Sequence, residues 1–192
     1  MRTRLGLAIG VAVASVLAFG STPAAPVTTE RTPPQLYRAL KTKPFAPATV
    51  AGRFSAPRIS TISPSPTAAR YRALGTVEVA FAKGEGSLRY TVFPSRTAAF
   101  NSWADYVSGT TDPVLTFEQR VRVHGLPVAA YMFLGALGAC DPTPCPPTRA
   151  TFVSGVVHAD VSVTVRPNAS NWDRVAASAL VRAAYAHLKS LQ

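Results

Sequence analysis

The sequence predicts an α+β domain: an antiparallel sheet of about six strands with helices packed on one face. Three observations predict it. From Val156 to Arg166, residues Val157, Ala159, Val161, Val163 and Val165 alternate with His158, Asp160, Ser162, Thr164 and Arg166. That period of two gives a strand one apolar and one polar face. Across Asn168–Leu191 the apolar residues recur at helical spacing instead. Finally, strand patterns follow one another mainly through short turn sequences, which join antiparallel neighbours, while helical stretches stand before, between and after them.

In chain order, Arg2 and Arg4 precede an uncharged run, Leu5–Gly20, and the small residues Ser21, Ala24 and Ala25. A positive start, an apolar centre and a small-residue exit form a secretory signal peptide. The run is shorter than the about 20 residues a bilayer span takes. Residues 1–24 are therefore expected to be a leader cleaved after Gly20 or Ala24, residues 25–32 a flexible tether, and residues 33–192 a single domain. The processed protein is expected to be secreted, extracellular or in the cell envelope, with no transmembrane helix left after processing.

Thr32-Pro33-Pro34 starts a short helix, with Leu36, Ala39 and Leu40 as its apolar stripe. Ser60–Ala69 is expected to be a Ser/Thr/Pro loop. Val77, Val79 and Phe81 mark a first strand over Thr76–Ala82, and Leu88, Tyr90 and Val92 mark its return after the turn Lys83-Gly-Glu-Gly86. Ser95 caps a helix ending at Gly109, whose stripe is Ala99, Phe100, Trp103, Tyr106 and Val107. Leu115–Val123 alternates. Val128–Leu134 is apolar on both faces, so it belongs in the sheet interior. Arg149–Val153 and Val156–Arg166 form a hairpin about Ser154-Gly155. In the last helix Trp172, Val175, Ala176, Ala179, Leu180, Ala183, Ala184, Leu188 and Leu191 form the apolar stripe, and Arg174, Ser178, Arg182 and Lys189 face away.

Cys140 and Cys145 are the two cysteines of the chain. Four residues between them, two of them proline, do not fit a redox pair at a helix start, and no second Cys pair or close His pair completes the about four ligands of a zinc site. A disulfide closing a rigid surface loop is expected, as befits an exported protein, and would stabilise the fold by about 2 kcal/mol. The chain has no GxSxG, HExxH, GxxxxGK or GxGxxG motif, so no hydrolase elbow, zinc protease or nucleotide cradle is signalled. No catalytic, cofactor-binding or metal-binding residue is assigned, and no cofactor is expected.

His158 and Asp160, two apart on one strand, share its polar face. They are read as hydrogen-bonding side chains on a solvent-facing strand; the competing reading is a His–Asp acid–base dyad in a cleft. Arg70-Tyr71-Arg72 and Arg89-Tyr90 interleave bases with aromatics, as single-strand binders do. The formal charge of +11 on an exported protein is compatible with an anionic envelope partner, while export and the dispersal of that charge argue against nucleic acid. The leader, the helix–strand order from Gln35 to Gln192, and the Cys140/Cys145 loop before a strand hairpin resemble the small exported α+β domains of actinobacterial lipoproteins and of extracellular kinase sensors. The chain departs from the sensors in lacking a transmembrane span and further cysteines. The resemblance implies a ligand- or partner-binding module and transfers no site residue. The expected function is therefore a secreted, non-enzymatic binding module. The alternatives are a secreted enzyme without a sequence-local motif and an envelope scaffold.

Overall fold

A computed structural model of the chain describes residues 30–45, 58–81, 86–109, 119–134, 148–163 and 172–192. The expected leader, the first part of the expected tether, Cys140 and Cys145 with their expected disulfide, and residues 164–171 before the last helix lie outside the described residues. Four helices and seven strands follow in the order α1 (Pro33–Thr42), β1 (Arg58–Ile62), α2 (Pro66–Arg70), β2 (Gly75–Ala80), β3 (Gly86–Val92), α3 (Arg96–Gly109), β4 (Gln119–Arg122), β5 (Ala130–Leu134), β6 (Thr148–Ser154), β7 (Val157–Val163) and α4 (Trp172–Leu191).

All seven strands pair antiparallel in one sheet, ordered β1-β2-β3-β7-β6-β5-β4. Two meanders, β1-β2-β3 and β4-β5-β6-β7, are joined at the β3–β7 seam, where Gly86–Val92 runs against Val157–Val163. The sheet is α+β as expected, with seven strands rather than six. The additional strand is β1, in the stretch read as a Ser/Thr/Pro loop, which also contains α2. Two apolar residues are all β1 offers, Ile59 and Ile62, and an odd spacing puts them on opposite faces. An edge strand of that kind carries no alternation. α2 starts from Ser65, whose Oγ accepts from Ala68 N–H at 3.2 Å.

The helices cover both faces of the sheet, not one. Register gives each face its rows. On the first face lie Val79, Leu88, Val161, Ala150 and Met132, and beside them Val77, Tyr90, Ala159, Phe152 and Ala130. All of these are buried under α1 and α4 in one core with Leu36, Leu40, Leu180, Val181, Ala184 and Leu188. The stripe of α4 is turned slightly from its expected position: Ala177 and Val181 are buried, and Val175 is exposed.

The second face carries α3 and α2. The chain leaves β3 in the middle of the sheet and must reach β4 at the far edge, four strand spacings or roughly 19 Å away. α3, about 21 Å long at 1.5 Å per residue, makes that crossing over β7 and β6. Val107, Trp103 and Phe133 are buried where it lands, and Trp103 stacks on Tyr131 at 5.7 Å between ring centroids. A crossover of this kind is fixed by strand order, which local periodicity does not encode. Among the described residues no helix is long and apolar enough to cross a membrane.

Candidate functional site

The second face is the polar one. Three cross-strand rows can be read from the register. One holds Ser87, Ser162, Arg149 and Phe133; the next holds Glu78, Arg89, Asp160, Thr151 and Tyr131; the third holds Thr76, Thr91, His158 and Val153. Antiparallel partners and residues two apart point the same way, so all of these side chains share a surface. α3 covers its β6 and β7 side, and α2 with the end of β1 borders the other.

His158 does not face solvent, contrary to the expectation for this strand. It is 4% exposed, because Tyr106 of α3 sits on its ring edge-on at 5.4 Å between centroids. Its Nε2 lies 2.9 Å from Thr151 Oγ1, and Thr151 Oγ1 donates to the Ala159 carbonyl at 3.0 Å. A hydroxyl has one proton to give, so Oγ1 must accept from His158. The imidazole therefore carries hydrogen on Nε2 and donates it to Thr151.

Asp160 Oδ1 also approaches Nε2, at 3.0 Å, but from a direction in which it makes no hydrogen bond, and it is buried without a partner. The pair is adjacent rather than hydrogen-bonded. With Oδ1 covered, Oδ2 is the carboxylate oxygen left to face outward. The expected pair His158 and Asp160 is thus brought together, one member buried and the other at the wall of a groove.

Two adjoining cavities occupy that groove. One, about 350 Å³, is lined by Ser87, Arg89, Tyr106, Arg149, Asp160 and Ser162. The other, about 320 Å³, is lined by Thr76, Thr91, Ser102, His158 and, again, Arg89, Tyr106 and Asp160. Arg89 is oriented by Glu78, whose Oε1 accepts from Nε at 2.7 Å. Thr76 and Thr91 share a hydrogen bond of 3.0 Å between their hydroxyls. Arg89, Arg149 and Tyr106 were not singled out by the sequence as members of one site. They come from β3, β6 and α3, and only the register and the crossover bring them to Asp160.

Other candidates disperse. His124 is exposed in a turn, and its carbonyl accepts from Arg182 at 3.2 Å. His187 packs between Phe45 and Tyr90 on the apolar face. No group of three or more His, Cys, Asp or Glu that could hold a metal occurs among the described residues. The interleaved Arg89-Tyr90 does not form a stacking surface, since Arg89 lines the groove while Tyr90 is buried on the opposite face and donates to the Ala184 carbonyl at 2.9 Å. Burial raises the Tyr90 hydroxyl pKa far above its ordinary value. Near Arg70, Tyr71 donates to Asp105 at 2.6 Å, and this hydrogen bond, followed by desolvation, raises its pKa.

Comparison with protein-family models, with curated proteins and with solved structures gave no match to this chain.

Proposed function

We propose that the chain is an exported binding module that takes a small polar ligand into the groove between α3 and the polar face of the sheet, without reacting with it. The observation that carries this reading is the pair of cavities sharing Arg89, Tyr106 and Asp160. A sheet face lined with charge and hydroxyls and only partly roofed by a helix is a concave site with convergent polar groups, the usual form of a ligand pocket. The leader-like residues 1–24 support export, to the cell envelope or beyond it.

Among the described residues, the exposed large apolar side chains Ile59, Leu74, Phe100 and Val175 stand on four separate parts of the chain, which favours a ligand module over a scaffold. A second reading, an enzyme built on His158 and Asp160, draws on their 3.0 Å approach. Against it, the Nε2 proton is committed to Thr151, and among the described residues no other hydroxyl hydrogen-bonds the imidazole.

The test is an amide chemical-shift screen of the folded protein against a broad set of polar metabolites. Binders are expected to move Arg89, Thr91, His158 and Ser162 together and to be recovered unchanged. Shifts confined to the β4 edge would overturn the site, and conversion of a bound compound would put the enzyme reading in its place.

A further inference from the structure

We propose that the cavity lined by Arg89 and Arg149 takes a small monocarboxylate that also carries a hydrogen-bond donor, a hydroxy- or amino-acid. This deepens the groove reading above and rests on it.

Arg149 is half-buried and has no acidic partner among the described residues. Its cross-strand neighbours in the row are neutral, Ser162 on one side and Phe133 on the other. A guanidinium drawn partly out of water without a counter-charge is costly, and an anion that enters relieves that cost. Arg89 gives its Nε to Glu78, and its two terminal nitrogens have no hydrogen-bond partner among the described residues. Ser87 and Ser162, opposite one another on β3 and β7, add two hydroxyl donors to the same row. Planar guanidinium forks and hydroxyls match a carboxylate, which accepts two parallel hydrogen bonds.

Asp160 sets what else the ligand must be. It stands two residues before Ser162 on the same face, roughly 7 Å along the strand. Two guanidiniums and one carboxylate line the cavity, and Glu78 already offsets Arg89, which leaves Arg149 as the guanidinium that takes an anionic group while Asp160 stands beside it. A single carboxylate suits that arrangement, whereas a dianion such as hydrogen phosphate meets repulsion from Asp160. Asp160 Oδ2 in turn accepts from a hydroxyl or ammonium placed next to the ligand carboxylate. The ligand is therefore bipolar: carboxylate toward Arg149 and the serines, donor toward Asp160.

The experiment titrates the folded protein, at fixed ionic strength, with glycolate, glycine, acetate, inorganic phosphate and glycerol, read by amide shifts of Ser87–Thr91 and His158–Ser162. Glycolate or glycine is expected to bind at least about fivefold tighter than acetate or phosphate, with glycerol silent. Arg149→Ala should weaken the better binder about tenfold or more, while Arg122→Ala, on the same sheet face but outside the cavity, should not. Asp160→Asn, isosteric and verified as folded by its amide spectrum, should remove the advantage over phosphate. Phosphate binding tighter than both bipolar acids, or an Arg149→Ala variant with unchanged affinity, overturns the proposal. If glycerol alone shifts these amides, the carboxylate chemistry is wrong and the groove reading stands. If none of the five shifts them, the proposal falls alone; failure of the broad metabolite screen as well would remove the groove reading with it.

Discussion

His187 sits where a charge is unwelcome. Its ring meets Phe45 edge-on at 5.7 Å and Tyr90 at 6.3 Å, and its Nε2 is buried without a hydrogen bond. Desolvation lowers its pKa, and a hydrogen bond to the backbone of Lys43 opposes part of that shift. The folded state therefore takes up this proton later than the unfolded chain does. Its contribution to stability is complete above about pH 6.5 and is lost as pH falls through the lower folded-state pKa. Urea midpoints of the wild type and of His187→Phe, at about pH 8 and about pH 5, check this. The wild type should lose more stability between the two than the variant, and equal losses would assign the acid limb to other groups. Leu180, fully buried on the same helix, makes a second test at this scale. Leu180→Ala should cost about 2–5 kcal/mol. Arg182→Ala, which removes one exposed hydrogen bond to the His124 carbonyl, should cost less than about 1 kcal/mol. Chemical denaturation of the two variants must separate them widely if α4 is docked through Leu180.

Among the elements, the β3–β7 seam decides how the two meanders share one sheet, and it begins at Gly86. This glycine has φ of +137°, and a side chain there would run into the Ser162 carbonyl of the facing strand. Backbone on both sides leaves no group that can swing away, so Gly86→Ala is expected to destabilise the fold by about 1–3 kcal/mol or more and to disturb the amides of β7. Gly75 provides the comparison. The three atoms nearest a Cβ there all belong to the far end of the Tyr37 ring, a side chain that can rotate, so Gly75→Ala should cost less; the reverse order in denaturation midpoints would contradict this account of the seam. Elements differed in the same way in how far the sequence revealed them. β7 was legible because its valines alternate, and α4 because its apolar residues keep a helical period. β1 was not, because Ile59 and Ile62 leave one apolar residue on each face. Of the candidate site, the spacing of His158 and Asp160 was legible as one face. The burial of His158 was not, because Tyr106 arrives from α3, nor was the company of Arg89 and Arg149, which depends on strand pairings between distant parts of the chain.

Taken as a whole, the molecule has two unlike halves divided by the plane of the sheet. On one side a single apolar core runs from Leu36 and Leu40 through Val79, Leu88 and Phe152 to Leu180 and Leu188. On the other, the apolar contacts of α3 fall into two smaller groups, one around Phe93 and Ala99 and one around Trp103, Val107 and Phe133, with the polar groove beside them. Hydrophobic stabilisation scales with the apolar area withdrawn from water, so the first side should hold together until the whole domain unfolds. The second side should open at lower cost, starting from β1 and α2, where β1 is largely exposed and α2 has a single buried residue, Ala68. That difference would also admit a ligand beneath α3 without disturbing the core. Native-state hydrogen exchange measures it directly. Amides at the centres of β3, β7 and α4 should exchange only through global unfolding, those of α3 through a cheaper partial opening, and those of β1 and α2 earlier still. If α3 proved as protected as α4, the groove would be a fixed part of the fold, and a ligand would have to enter it without any opening of α3.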